Sequence, residues 1–290
     1  MEVTVSESGG RGAPPRGDRG GRPERDQRGR RDHAGQGKPS RQRDYRDRGR
    51  EDKPARQRGG RDRQEEKPQG PVAPELPEDI EASALDIEVR KELRSLPKDL
   101  AELVGKHLVA AGELVDTDPE AALEHARFAK VKASRIPVVR EAVGLAAYHA
   151  GQWAEALSEL RAVRRMTRSN IHVAIMADAE RALGRSERAL DLAKETDVKS
   201  LPPEIAVELR IVAAGARRDL GQLDAAVVAL QGDDLDPRKR LPWSARLFYA
   251  YADNLLEAGR KDEAATWFTH AAEADTEEET DAAERAAELG

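Results

Sequence analysis

The chain has 290 residues, 36% of them charged and 3% aromatic, with a formal net charge of −6. It contains no cysteine, which excludes disulfides, thiol chemistry and cysteine metal sites, and no run of about 18 apolar residues that could form a membrane-spanning helix. The first ten residues carry neither a basic cluster nor an apolar stretch, so secretion is not expected and the cytoplasm is the predicted compartment.

The chain divides near residue 70. Its first 70 residues contain no Leu, Ile, Phe or Trp, and Tyr45 is their only aromatic. Such a segment cannot bury enough apolar surface to offset an ordering cost of roughly 1–2 kcal/mol per residue. Residues 1–73 are therefore predicted to be a disordered arm, and residues 74–290 one elongated domain. Charge divides in the same place: 20 Lys and Arg stand against 13 Asp and Glu in the first 70 residues, and 29 against 42 in the rest. A basic arm on an acidic body suggests contact with polyanions or acidic surfaces. The arm carries RGGR twice, at Arg19 to Arg22 and at Arg58 to Arg61. It resembles the RGG-type segments of RNA-binding proteins, in which Arg contacts phosphate and base faces while Gly keeps the chain pliant. A purely solubilising tail is the other reading of the same composition.

Beyond the arm the predicted elements are all helical. Residues 86–96 read as a short helix with Ile87, Val89 and Leu93 as apolar contacts. A helix over 97–112 and another over 119–133 form a first pair, with Asp118 as N-cap and Pro119 at the first helical position. From there a frame recurs. Ala122, Ala156, Ala189, Ala226 and Ala264 follow one another at steps of 34, 33, 37 and 38 residues. The clearest unit spans 139–166, where Gly144 and Ala147 allow close approach of its two helices, Gly151 ends the first, and Trp153 opens the second. Gly184, Gly221 and Gly259 hold the place of Gly151 in the later units. The longer steps are absorbed by loops over 197–203 and 231–242, rich in Pro, Gly and Asp. Last, residues 276–289 read as a polar terminal helix opened by Thr276 and Glu279 as a capping box.

Four units from Val139 to Ala274, set in register on their turn glycines, resemble the tetratricopeptide repeat family, whose pattern of about 34 residues carries a small residue at position 8, Gly at 15, an aromatic at 17 and Ala at 20. Ser186 and Lys261 depart from the aromatic at 17, and the proline that often closes a repeat is missing. Glycine at each turn with Ala five residues on argues against a pentatricopeptide array. The high Ala and Arg content resembles bacterial, actinobacterial-type members of the family. The resemblance implies an all-α, tetratricopeptide-like solenoid of about four to five helix pairs, capped by short helices at both ends and acting as a non-enzymatic scaffold for a protein partner.

In that family the first helices line a concave groove. The matching positions here give Tyr148, His149, Asp178, Arg181, Arg218, Arg246, Tyr249 and Asp253 as candidate protein-binding residues, Tyr and Arg being frequent binding hot spots. A solvated set of helix-surface charge pairs is the alternative reading. Positions 5 and 9, which in some members clamp a peptide carboxylate with Lys and Asn, hold Glu141 with Leu145, Ala174 with Asp178, Ile211 with Gly215, and Tyr249 with Asp253. No chaperone-tail clamp is expected. On the second helices Arg127 and Arg161, Lys130 and Arg164 share frame positions, and with Arg165 and Arg168 they form a basic ladder suited to a phosphate backbone. An accessory RNA or ribosome binder using arm and ladder is therefore the second functional reading, and a solvated outer face the plain one.

Enzyme chemistry finds no support in the pattern. His107, His125, His149, His172 and His270 never pair at i and i+4, no Gly-rich phosphate loop follows a strand, and no nucleophile is framed by a base. No cofactor and no metal are expected.

Overall fold

The structure, a computed structural model, describes residues 72–290. The arm expected over 1–73, apart from its last two residues, lies outside the described residues, and so do Arg19, Arg22, Arg58 and Arg61. Among the described residues every regular element is helical, as the repeat pattern predicts. A 3-10 turn at Ala82–Ala84 and helix α1 (Ile87–Leu93) precede five antiparallel pairs. These are α2 (Lys98–Leu114) with α3 (Pro119–Ala133), α4 (Pro137–His149) with α5 (Trp153–Thr167), α6 (Val173–Ala182) with α7 (Ser186–Glu195), α8 (Pro203–Asp219) with α9 (Leu223–Leu230), and α10 (Ser244–Glu257) with α11 (Lys261–Ala274). Helix α12 (Ala282–Leu289) packs on α11. A 3-10 turn at Val198–Ser200 fills the longer connection before α8.

Small residues set the spacing inside each pair. Ala122, Ala156, Ala189, Ala226 and Ala264 are all fully buried, and on the facing first helices so are Ala177, Ala214 and Ala252. Gly144 holds the corresponding place on α4, where an added Cβ would lie 2.6 Å from Leu160 Cδ2. The two backbones approach until only a hydrogen or a methyl fits between them. Larger apolar residues, among them Leu160, Leu230, Phe248 and Phe268, fill the space on either side.

Four of the five turns share one geometry. Gly151, Gly184, Gly221 and Gly259 have φ between 68° and 76°, the left-handed region. In each, the residue after the glycine donates its N–H to the carbonyl five residues back, as Gln152 does to Ala147 at 2.7 Å. The glycine itself donates to the carbonyl three back, Gly221 to Arg218 at 2.8 Å. This pair of bonds closes a Schellman motif and aims the second helix back along the first. The first pair turns differently, with no glycine: Asp118 accepts the Ala121 N–H at 3.1 Å, and Pro119 follows at the first helical position.

The C-terminal segment departs from the sequence reading. The capping box expected at Thr276 is not formed, and α12 begins at Ala282. The Asp275 carboxylate accepts the N–H groups of Glu279 and Thr280 at 2.9 and 2.7 Å and the Thr280 hydroxyl at 2.6 Å. Those bonds wrap residues 276–281 into a turn, with Glu278 at φ 57°, and postpone the helix.

Two glycine substitutions separate backbone strain from packing. Nothing lies within 4 Å of a Cβ built on Gly221, so Gly221→Ala is expected to cost only left-handed strain, about 1–2 kcal/mol, and Gly221→Asn less. Gly144→Ala is expected to cost about 1–3 kcal/mol by overpacking and to be partly relieved when combined with Leu160→Val. Chemical denaturation measures both; strictly additive effects of Gly144→Ala and Leu160→Val would contradict the contact.

Candidate functional site

The first helices α4, α6, α8 and α10 present one polar residue set to a common face, and the structure joins that set from pair to pair. Tyr148 Oη donates to Asp178 Oδ2 at 2.6 Å, linking α4 to α6. Arg181 Nε donates to Asp178 Oδ1 at 3.0 Å, and Arg181 Nη1 reaches Asp219 Oδ2 of α8 at 3.3 Å. Arg218 of α8 pairs with Asp253 of α10. Arg285 of α12 continues the row, donating to Asp253 Oδ1 and to Tyr249 Oη, each at 3.2 Å, with its guanidinium 4.8 Å from the centre of the Phe268 ring. Arg246 returns from α10 to Glu208 of α8 at 2.7 Å, and His149 Nδ1 lies 3.6 Å from Asp116 Oδ1. Seven of the eight groove residues named from the sequence are thus bonded to a neighbouring helix pair or to the terminal helix, and His149 lies near Asp116 without a hydrogen bond.

Ser186, which stands where the repeat pattern carries an aromatic, belongs to the same row. It is buried, and its hydroxyl donates to Asp219 Oδ2 at 3.1 Å. Burial raises the Tyr148 hydroxyl above its ordinary range, and the bond to Asp178 raises it further. Burial disfavours the Arg181 charge, but Asp178 and Asp219 outweigh it and leave the guanidinium more basic than usual. The row is therefore a chain of matched, fixed charges, suited to holding geometry and presenting hydrogen-bond edges rather than to moving protons.

Facing this row, between α8, α10 and the 276–281 turn, is a cleft of about 430 Å³ lined by Ile211, Arg246, Tyr249, Ala250, Glu279 and Thr280. Arg246 lines it with 55% of its side chain exposed.

The basic ladder of the second helices is divided in the structure. Arg127 pairs with Glu155, and Lys130 bonds Glu159 at 3.2 Å and lies 3.6 Å from Glu155. Arg140 Nη1 donates to the other Glu159 oxygen at 2.6 Å. Arg161 pairs with Glu180, which also receives Arg185 at 3.5 Å. Both Glu159 and Glu180 are buried, so these cations neutralise interior carboxylates. Arg164, Arg165 and Arg168 make no ion pair with another described residue, and Arg168 ends α5 at φ 56°.

One buried cluster has no counterpart in the sequence reading. His107 of α2 and His125 of α3 are buried with their Nδ1 atoms 2.9 Å apart, and the Phe128 ring lies 4.4 Å from His107 between centres. One imidazole donates the proton and the other accepts it, so the accepting ring is neutral and the two cannot both be protonated at Nδ1. Burial lowers the His107 pKa to about 4, with His125 adding to the effect, and burial lowers that of His125. Among the described residues no group of three His, Cys, Asp or Glu is placed to hold a metal ion, and no helix is long and apolar enough to cross a membrane.

No family model matches the chain, and a search of curated proteins finds no significant match. Among solved structures the chain is similar to that of a thermophilic TPR protein from Thermus thermophilus, at 20% identity. The likeness covers 64% of this chain and 98% of that one, with a TM-score of 0.49.

The histidine pair makes acid stability testable. Both groups bind protons less readily folded than unfolded, so their contribution is complete above the unfolded value of 6.5 and is lost as pH falls toward about 4. Replacing both by Leu is expected to flatten the fall in melting temperature between pH 7 and 5 relative to the unaltered chain. An unchanged pH slope would show that the pair does not titrate with unfolding.

Proposed function

We propose that this chain is a non-enzymatic scaffold that holds a protein partner along the face of its first helices. The observation that carries the reading is the cleft beside Arg246 and Tyr249, where an exposed guanidinium, a half-buried phenol and the apolar side chain of Ile211 converge. Such a combination grips a peptide: the aromatic and aliphatic surfaces supply contact area, and the guanidinium supplies directed hydrogen bonds. The polar row from Tyr148 to Arg285 keeps the helices bearing these groups in fixed register, so a partner meets a preformed edge and little ordering cost accompanies binding. We place this activity in the cytoplasm of a bacterium.

RNA association through the arm and the second helices is the weaker reading. Arg127, Lys130 and Arg161 already serve glutamates, which leaves Arg164, Arg165 and Arg168 of the described ladder unpaired for a phosphate backbone. Three ladder positions by themselves contribute little to the salt dependence, since each neutralised phosphate adds a slope of about 0.7–0.9.

Substitution of Arg246 by Glu together with Ile211→Asp is expected to release the bound protein by at least tenfold in a crosslinked pull-down while helicity stays unchanged. Nuclease treatment is expected to leave the wild-type capture intact. Capture that survives both substitutions, or that nuclease abolishes, would contradict the groove reading.

A further inference from the structure

The second helices are unequal: α7 has 10 residues and α9 has 8, against 15, 15 and 14 for α3, α5 and α11. Their shortness leaves a strip of α8 uncovered between them. That strip floors a cleft of about 690 Å³. One wall is Leu190, Ala193 and Val198, the other Ala229 and Trp243, with Ala206 and Ala213 beneath. The volume lies in the range of sites that receive small apolar groups or side chains. Val198 on its rim is 46% exposed.

On the other flank of α7 is a second cleft, of about 560 Å³, between α5, α6 and α7. Arg164, Arg165 and Arg188 line it and make no ion pair with another described residue. Asp191 borders both clefts from the crest of α7, so the two form one continuous surface across that helix. Together they carry seven Lys and Arg against four Asp and Glu, within residues 71–290 that hold 29 against 42. The surface is a cationic island on an acidic body. Its unsatisfied buried groups are donors as well: Arg210 Nε and Trp243 Nε1 have no hydrogen-bond partner. An occupant suited to both clefts brings negative charge to the Arg164, Arg165 and Arg188 side, and apolar bulk with an acceptor for Arg210 and Trp243 to the side over α8.

We propose that this two-cleft surface across α7 docks an acidic amphipathic segment of a protein partner, independently of the groove. Apolar side chains of the segment enter the cleft over α8, and its carboxylates meet Arg164, Arg165 and Arg188. Asp191 and Glu195 interrupt the cations, so anions spaced along a helix can meet Arg164, Arg165 and Arg188 singly and avoid the acids, whereas the closely spaced phosphates of a continuous backbone cannot. The apolar cleft is walled by Leu190, Ala193, Val198, Ala206, Ala213 and Ala229 with one aromatic, Trp243, so it offers aliphatic side chains more contact than it offers stacked bases. The charge balance and the apolar volume together favour a peptide over RNA.

The test is fluorescence anisotropy of the full chain with a labelled 14-residue helix-forming peptide carrying Leu at i and i+4 and Glu on the flanking face. Controls are the same peptide with Lys for Glu, the same peptide with Ser for Leu, and poly-uridylate. The acidic, Leu-bearing peptide is expected to bind at least tenfold more tightly than either altered peptide. Arg165→Glu with Arg188→Glu, and separately Val198→Glu, are each expected to weaken it tenfold or more with circular dichroism and melting temperature unchanged. Equal binding of the charge-reversed peptide would overturn the proposal, as would tighter capture of poly-uridylate. So would undiminished binding by the Val198→Glu chain, the result expected if the basic arm alone attracted the peptide.

Discussion

The structure depends on how closely the two helices of a pair can approach. Where Gly144 meets the Leu160 side chain, and where the fully buried Ala177, Ala214 and Ala252 face their partners, a larger side chain would have to displace packed neighbours. That contact fixes the distance between helices. The Schellman turn then fixes their direction, because a left-handed glycine and the N–H bond five residues back leave the chain one way to continue. Repetition of these two local rules generates an array, in which each pair contacts its neighbours and stability accumulates along the chain.

Stacking of pairs adds a second, polar constraint. Small apolar seams are nearly featureless and could slide, whereas the row from Tyr148 through Asp178, Arg181, Asp219, Arg218 and Asp253 to Arg285 has one registered arrangement. Individual half-exposed ion pairs contribute at most about 1 kcal/mol, so the row acts on geometry more than on total stability. Glu159 and Glu180 differ because they are buried and each receives two cations. Removing those cations would strand a charge in the interior, at a cost of about 3–5 kcal/mol. Conserving charge balance on both faces therefore leaves few side chains free for a ligand. The flanks of α7, with Arg164, Arg165 and Arg188, are where such freedom remains, while Arg246 is bound to Glu208 yet 55% exposed beside its cleft.

The fold was legible in the sequence because its determinants are local. A fully buried alanine must be small, a turn at positive φ wants glycine, and both recur at a spacing that survives loop insertions at 197–203 and 231–242. The site was legible only as a set of positions. The frame identified Tyr148, Arg181 and Arg218 as sharing a face, yet it could not show that each reaches an acid 30 to 38 residues away. Ser186 looked like a defect of the pattern until its hydroxyl met Asp219. The His107 and His125 pair escaped because its partners sit 18 residues apart on two helices whose turn lacks the recurring glycine. Glu159 and Glu180 escaped because a charged residue in an amphipathic pattern reads as solvent-facing. At the C-terminus Asp275 outcompeted Thr276 by offering two carboxylate oxygens to three donors.

Polar coupling between first helices joins one pair to the next. It is tested most directly by a double-mutant cycle on Arg218 and Asp253, which join α8 to α10 with side chains 29% and 22% exposed. Arg218→Ala, Asp253→Ala and the double substitution are compared by denaturant unfolding at low and high salt. A coupling of about 0.5–1 kcal/mol that shrinks with salt is expected. Additive single effects, with no coupling at either salt concentration, would contradict it.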